Sequence, residues 1–188
     1  MRKIIILIVA IIVNSPVLFS QEIFEAIFFV DAVTSGVPVY RNDTCINSFT
    51  IIKESSEKED WHCVDILAKS KNRYKVHIAL CNGSTATPPI DGWVDKSKCG
   101  VWLYSISLKH GLWNVYFYKY PGQLHPFLKI TSKYPDSFSE YDNDKAVPVL
   151  DYKLYEGKYW IKTVITKDKK RIVGWTKDYC PNVYGACN

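Results

Sequence analysis

Apolar residues in this chain alternate over short runs that are separated by Gly, Pro and polar residues. Trp61 to Leu67 and Tyr74 to Leu80 alternate at the period of a half-buried strand, and residues 70–73 between them are typical of a hairpin turn. No long segment follows the period of a helix. The pattern therefore predicts an all-β protein made of small barrels or sandwiches.

The order of these runs occurs twice along the chain. Phe127 to Ile130 matches Phe49 to Ile52. Gly174-Trp175-Thr176 likewise matches Gly92-Trp93-Val94, and the second half has its own hairpin turn at Glu156-Gly157-Lys158. Domains of this size have marginal cores, which disulfides commonly stabilise. We therefore predict two domains, residues 21–104 and residues 105–188.

The first 20 residues have the layout of a cleavable export signal. Arg2 and Lys3 precede an apolar run from Ile4 to Val13, and Leu18-Phe19-Ser20 is a plausible cleavage site. The run is short for a membrane span, so an uncleaved anchor is the less favoured alternative. The sequence thus predicts a periplasmic or secreted protein with no membrane span after cleavage.

The charge balance argues against a dedicated nucleic-acid binder. The whole chain has a net charge of +5, and removal of Arg2 and Lys3 with the signal leaves 22 basic and 19 acidic residues. A nucleic-acid-binding face requires a larger basic excess. We therefore expect no nucleic-acid partner.

The six cysteines predict disulfides, because an even number in an exported chain is typical of a disulfide framework. A zinc site is the alternative, since His62 and His77 lie near Cys63 and Cys81 in the sequence. However, His62 and Cys63 are adjacent in a strand-like segment and point to opposite faces. The sequence favours disulfides over metal.

The hairpin predicts which cysteines pair. With a turn at residues 71–73, the register sets Cys63 opposite Cys81, close enough for a bridge. A turn shifted by one residue would change this assignment, because four cysteines allow three pairings. The other predicted bridges are Cys45–Cys99 and Cys180–Cys187.

Several short motifs resemble the bacterial SH3-like (SH3b) domain family. Residues 30–41 are similar to its opening turn and strand, and Arg73-Tyr74-Lys75-Val76 and Trp160-Ile161-Lys162-Thr163 to its Trp-x-Lys-Val strand. Gly92-Trp93-Val94 and Gly174-Trp175-Thr176 are similar to its closing Gly-Trp-Val strand. Arg73 stands where the family has Trp. The resemblance implies two tandem five-stranded, partly open barrels that bind peptides or cell-wall peptidoglycan.

No catalytic constellation is recognisable in the sequence. Gly-x-Ser-x-Gly, His-Glu-x-x-His and Gly-rich phosphate-loop motifs are missing. A Cys–His hydrolase would need a reactive thiol, which oxidation of Cys63 and Cys81 removes. Asp142 and Asp144 lie in a polar stretch and are interpreted as solvated, with a weak calcium site as the alternative. We predict neither enzyme activity nor a metal or cofactor.

Aromatic residues are the better indication of a ligand site. Alternation predicts Tyr116, Tyr118 and Tyr120 on one strand face, and we add Trp93 and Trp175 as candidate ligand-binding residues. The alternative is that these aromatics pack the two domains together. The favoured function is an exported, non-catalytic module that binds cell-wall peptidoglycan or peptides. The alternative is a protein-interaction, inhibitor or immunity-type protein of the cell envelope.

Overall fold

The structure is a computed structural model that describes residues 23–29, 35–53, 62–81, 87–103, 112–133 and 146–181. These residues form fourteen β-strands and one short 3-10 helix, which confirms the predicted all-β class. The strands are β1 Phe24–Phe28, β2 Val37–Val39, β3 Thr50–Ile52, β4 His62–Lys69, β5 Arg73–Leu80, β6 Ile90–Asp95, β7 Cys99–Leu103, β8 Leu112–Phe117, β9 Leu128–Lys133, β10 Val147–Pro148, β11 Asp151–Tyr155, β12 Lys158–Lys167, β13 Lys170–Thr176 and β14 Tyr179–Cys180; the helix, η1, spans Lys96–Lys98.

The strands form two antiparallel meanders and two short strand pairs. The first meander, β4–β5–β6, belongs to a seven-stranded sheet of order β10-β7-β1-β4-β5-β6, in which β14 also pairs with β7. The second meander, β11–β12–β13, is a sheet of its own. The short pairs are β2–β3 and β8–β9. Each short pair precedes a meander in the chain, so the same order of elements occurs twice.

The hydrogen bonds of the two halves repeat as well. Tyr40 and Trp93 exchange two backbone hydrogen bonds of 2.8 Å, which join the end of β2 to β6. Tyr118 and Trp175 exchange two bonds of the same length, which join the end of β8 to β13. In each half the Gly-Trp motif therefore connects the short strand pair to its meander.

Strand β7 belongs to both halves. It pairs with β1 through Gly100 and Ile27, and with β10 through Val101 and Val147. A Cβ atom at residue 100 would lie 2.8 Å from the Val147 carbonyl oxygen, so glycine permits this close approach. The predicted domain boundary near residue 105 lies outside the described residues, and β7, just before it, joins strands from both sides.

One hydrophobic core includes residues from both halves. The rings of Phe24 and Tyr152 stack with centroids 4.9 Å apart. The buried Tyr74 hydroxyl donates a 2.9 Å hydrogen bond to the Val149 carbonyl. Because burial of such side chains is the main source of stability, each half depends on the other for part of its core.

The predicted Cys63–Cys81 disulfide is confirmed, with a Cα–Cα distance of 5.0 Å. The register that predicted it was wrong by two residues at Cys63, which pairs with Ala79. One residue is lost at the turn, where Lys69 rather than Ser70 pairs with Tyr74, and one at a β-bulge between Ile66 and Ala68. Cys81 lies just beyond the end of β5 and reaches Cys63 from there. The bridge therefore closes the open end of the hairpin.

The predicted Cys45–Cys99 bridge is not formed, and both residues are free thiols. Cys99 is fully buried in the core at the start of β7, where it pairs with Phe28. Cys45 lies in the loop after β2 and is half-buried. The pairing of β7 with β1 places Cys99 inside the sheet, away from the surface loop that contains Cys45.

Cys180 is disulfide-bonded, and its predicted partner Cys187 lies outside the described residues.

The predicted turn of the second hairpin is confirmed. Glu156 and Gly157 connect β11 to β12 with φ angles of 49° and 72°. Two positive φ values in a two-residue loop match the twist of antiparallel strands.

The predicted signal at residues 1–20 lies outside the described residues. Among the described residues, no helix is long and apolar enough to cross a membrane.

Candidate ligand-binding surface

Two loops at equivalent positions present apolar side chains to solvent. The first loop, residues 41–49, connects β2 to β3, and the second loop, residues 119–127, connects β8 to β9. In the first, the Phe49 N–H donates to the Val39 carbonyl at 2.9 Å. In the second, the Phe127 N–H donates to the Phe117 carbonyl at 2.9 Å. The two loops therefore have the same length and the same closing bond.

The exposed residues occur at the same places in both loops. Ile46 is 91% exposed and its counterpart Leu124 is 88% exposed. Phe49 and Phe127 are 43% and 44% exposed. Single exposed apolar residues are common on protein surfaces, but here an aliphatic and an aromatic side chain are exposed at matching positions of both loops.

The glycine of each Gly-Trp motif makes room for the loop phenylalanine. A Cβ atom at residue 174 would lie 3.1 Å from Phe127 Cε1, and one at residue 92 would lie 3.3 Å from Phe49 Cε1. Each phenylalanine ring therefore rests on a strand at its glycine. The part of each phenylalanine that does not contact the strand is exposed to solvent.

Arg73 fixes the first loop to the β4–β5 hairpin. Its Nη1 donates to the carbonyls of Asn42, Asp43 and Cys45 at 3.2, 3.2 and 2.8 Å. Its Nε donates to Asp95 Oδ1 at 2.9 Å, and its Cζ lies 3.6 Å from the centroid of the Tyr40 ring. One largely buried guanidinium therefore holds three loop carbonyls.

The second loop is supported by a tryptophan instead. Trp160 is buried at the position in β12 that corresponds to Arg73 in β5, and its ring meets Tyr118 edge-on with centroids 5.1 Å apart. Tyr118 is the counterpart of Tyr40. The departure of Arg73 from the motif thus has a structural reason, since Arg stacks on the tyrosine and also bonds the loop.

Cations lie over the aromatic rings that border the loops. Arg41 Cζ lies 5.5 Å from the centroid of Phe49, and Lys177 Nζ lies 5.6 Å from that of Trp160. Lys129 Nζ lies 5.9 Å from the Tyr116 ring. Such pairs are weak at exposed sites, at about 0.5–1 kcal/mol, but they keep positive charge beside apolar surface.

The structure does not place the three predicted tyrosines on one face of a strand. Strand β8 ends at Phe117, so Tyr116 is half-buried, Tyr118 is buried and Tyr120 is 68% exposed in the second loop. The expected alternation was wrong because the chain leaves the strand before Tyr118. Trp93 and Trp175 are half-buried and connect the loops to the meanders.

The missed residues are the loop apolar residues and Arg73. A sequence signal existed for the loops, since Phe49 and Phe127 begin the two segments that match each other. The sequence marked Arg73 only as a departure from the Trp-x-Lys-Val motif and did not indicate its role, because its partners are loop carbonyls about 30 residues away. Local periodicity carries no information on such contacts.

Asp178 supports β8 from behind the second loop. Its Oδ2 accepts a 2.8 Å hydrogen bond from the Tyr116 N–H. Burial raises the pKa of this carboxyl above its ordinary value, and the Tyr116 hydrogen bond and Lys177 partly offset the rise. Since the folded state holds the proton more tightly than the unfolded state, stability falls as pH rises through the folded pKa.

We therefore expect Asp178→Asn to raise the urea midpoint at pH 7. The amide oxygen keeps the Tyr116 hydrogen bond without a buried charge. The gain should shrink as the pH is lowered from 7 through the raised pKa of Asp178, because the wild-type carboxyl then takes up a proton and is neutral as well. Urea unfolding across this pH range measures the difference, with Asp43→Asn in the exposed first loop as the control. An equal difference between variant and wild type at all pH values would contradict the assignment.

Cys63, Cys81 and His77, which were considered for metal or thiol chemistry, each have another partner. Cys63 and Cys81 are oxidised, and His77 Nδ1 lies 2.8 Å from Asp91 Oδ1 at the surface. No group of three or more His, Cys, Asp or Glu side chains comes together in the described ranges. Asp142 and Asp144 lie outside them.

Comparisons of the chain with family models, with curated proteins and with solved structures found no match. The SH3-like interpretation therefore rests on the motifs quoted above and on the repeated geometry of the two halves.

Proposed function

We propose that this protein is an exported, non-catalytic binding module that recognises a peptide through its two loops. The observation that carries the proposal is the matching exposure of Ile46 with Leu124 and of Phe49 with Phe127. An aliphatic side chain that is almost fully exposed contributes nothing to the core. Its repetition in both halves supports a role in contact with a ligand.

The surroundings of the loops support a ligand with both alkyl and carboxylate groups. Apolar side chains project from the loops, while Arg41, Lys129 and Lys177 lie at the rings beside them. Peptides with acidic and small apolar residues, such as the stem peptides of a bacterial cell wall, have this chemistry. Backbone bonds hold both loop frames, so little ordering entropy is lost on binding.

The wider proposal is that the two halves are SH3-like units behind a cleavable signal at residues 1–20. The same loop, the same Tyr–Trp hydrogen bonds and a similar three-stranded meander support two such units. Strand β7 pairs with a strand of each half, whereas two separate barrels would not share a strand. A surface disulfide is typical of proteins in the periplasm or outside the cell.

Binding to insoluble peptidoglycan sacculi and to an isolated acidic stem peptide tests this function. We expect salt-resistant binding by the oxidised protein. Ile46→Ser and Leu124→Ser should each weaken peptide binding about tenfold, because each removes a buried anchor from the complex. The double variant should not bind measurably. Fluorescence anisotropy with labelled peptide measures the affinities.

Ile23→Ser is the matched control, since Ile23 is also an exposed apolar residue but lies outside both loops. It should bind like the wild type. Urea unfolding should show that all variants are folded. Lack of binding to sacculi and peptides alike would contradict the proposal and favour a folded protein partner. An equal loss of peptide affinity in Ile23→Ser would contradict the role of the loops in binding.

A further inference from the structure

A basic cleft lies between the first and second halves, and none of its lining residues belongs to either loop. It has a volume of about 540 Å³, which is within the range of small-molecule sites. Lys69 and Ser70 at the end of β4 and Lys96 at the start of η1 form one wall. The other wall consists of residues from β11, β12 and β13 and the residue before β11: Leu150, Asp151, Lys162 and Val173.

The charges of the cleft are unbalanced. Three lysines face one carboxylate, that of Asp151, so the lining has a net charge of +2. Lys69 Nζ is held by Asp151 Oδ1 at 2.6 Å and by the Tyr152 carbonyl at 2.7 Å. In the described part of the chain, no carboxylate lies within ion-pair distance of Lys96 or Lys162. Two ammonium groups therefore remain for an anion.

Of these two lysines, Lys96 is the one whose positive charge is disfavoured by burial. Its Nζ lies 4.9 Å from the centroid of the Tyr74 ring, and it is half-buried. Burial lowers its pKa, while Asp151 raises it and Lys69 lowers it further. An anion in the cleft would stabilise the charged form of Lys96. Lys162 lies opposite Asp151 in the backbone register of β11 and β12, and its side chain lines the same cleft.

The lining also indicates the kind of anion. Lysine ammonium groups act as point charges and are common partners of phosphate oxygens. Leu150 and Val173 add an apolar side to the cleft, and Val173 is exposed. A phosphate attached to an organic group would fit both features.

We propose that this cleft binds the phosphate of an organic phosphomonoester or of a phospholipid headgroup, with Lys69, Lys96 and Lys162 around the phosphate and Leu150 and Val173 against the organic part. The site shares no lining residue with the two loops of the proposed function. Loss of peptide binding would leave it intact.

Titration calorimetry with glycerol 3-phosphate tests the proposal, and inorganic phosphate and acetate serve as comparison anions. Glycerol 3-phosphate should bind more tightly than inorganic phosphate, and acetate should not bind. Lys96→Gln and Lys162→Gln should each weaken binding about tenfold. Asp151→Asn should tighten it, because it removes the opposing charge and keeps an acceptor for Lys69 and for the Tyr152 N–H. Affinity should fall with added NaCl.

Vesicles of phosphatidylglycerol and of phosphatidylcholine distinguish the two sources of phosphate. Co-sedimentation with the first only, lost in Lys96→Gln, would assign the site to a lipid headgroup, whereas glycerol 3-phosphate binding without co-sedimentation would assign it to a soluble ester. Lys170→Gln is the control, because Lys170 is exposed and lies outside the cleft. Urea unfolding checks that each variant is folded. Unchanged affinity in Lys96→Gln and Lys162→Gln, weaker binding by Asp151→Asn, or no binding of any phosphate probe would overturn the proposal.

Discussion

Replacement of Arg73 by Ala is expected to destabilise the protein by about 3 kcal/mol, because several charged hydrogen bonds of a mostly buried guanidinium are lost together. Three carbonyls of the first loop and the Asp95 carboxylate would lose their donor. Tyr40 would lose the group that covers its ring. Urea unfolding at pH 7 measures the change.

Two further substitutions separate the contributions of Arg73. Arg73→Lys keeps the charge but cannot reach Asp95 and three carbonyls at once, so more than half of the loss should remain. Arg73→Trp introduces the residue found at the equivalent position, Trp160, and should keep the contact with Tyr40 but not the loop bonds. Arg171→Ala is the control, since Arg171 is exposed, and should change stability by less than about 0.5 kcal/mol. A loss below about 1 kcal/mol for Arg73→Ala would contradict the role given to it.

Removal of the Cys63–Cys81 bridge by the double substitution to Ser is expected to destabilise the protein by about 3 kcal/mol. The bridge joins residues 18 positions apart, so it restricts the unfolded chain. Cys63 is exposed and Cys81 is half-buried, so the substitution removes little packing. Urea unfolding of the oxidised wild type and of the variant measures the effect.

Cys45→Ser is the matched control, because Cys45 is a half-buried free thiol, and it should leave stability within about 0.5 kcal/mol. Thiol labelling provides a second check. Cys45 should react in the native protein, and Cys99 only after unfolding, because Cys99 is fully buried. Equal stability of variant and wild type would show that the bridge does not constrain the unfolded chain. Resistance of both thiols to labelling in urea would restore the predicted Cys45–Cys99 bridge.

The shared strand β7 has a consequence for the relation between the halves. It supplies partners to β1, β10 and β14, and the core residues around it come from both sides of the chain. Because the core is shared, we expect the two halves to unfold as one body rather than independently.

The strands and turns of this protein follow from local sequence. Alternation over Tyr74 to Leu80 corresponds to β5, and the Glu156-Gly157 pair forms the predicted turn because a two-residue hairpin needs positive φ values. The Cys63–Cys81 pairing was predicted from the same hairpin. Each of these features depends on residues close in the chain, where periodicity and turn chemistry apply.

The tertiary structure decided the rest. A bulge after Ile66 changed the hairpin register, and such a bulge depends on how the strand packs rather than on its own alternation. Burial of Cys99 follows from the pairing of β7 with β1, in which Cys99 lies opposite Phe28, a residue far away in the sequence. This pairing left Cys45 without its predicted partner. The contacts of Arg73 with the first loop, and the meeting of Lys69, Lys96 and Lys162 in one cleft, likewise join distant segments. Sequence patterns specify which residues face a core, whereas long-range pairing determines which surface residues become neighbours.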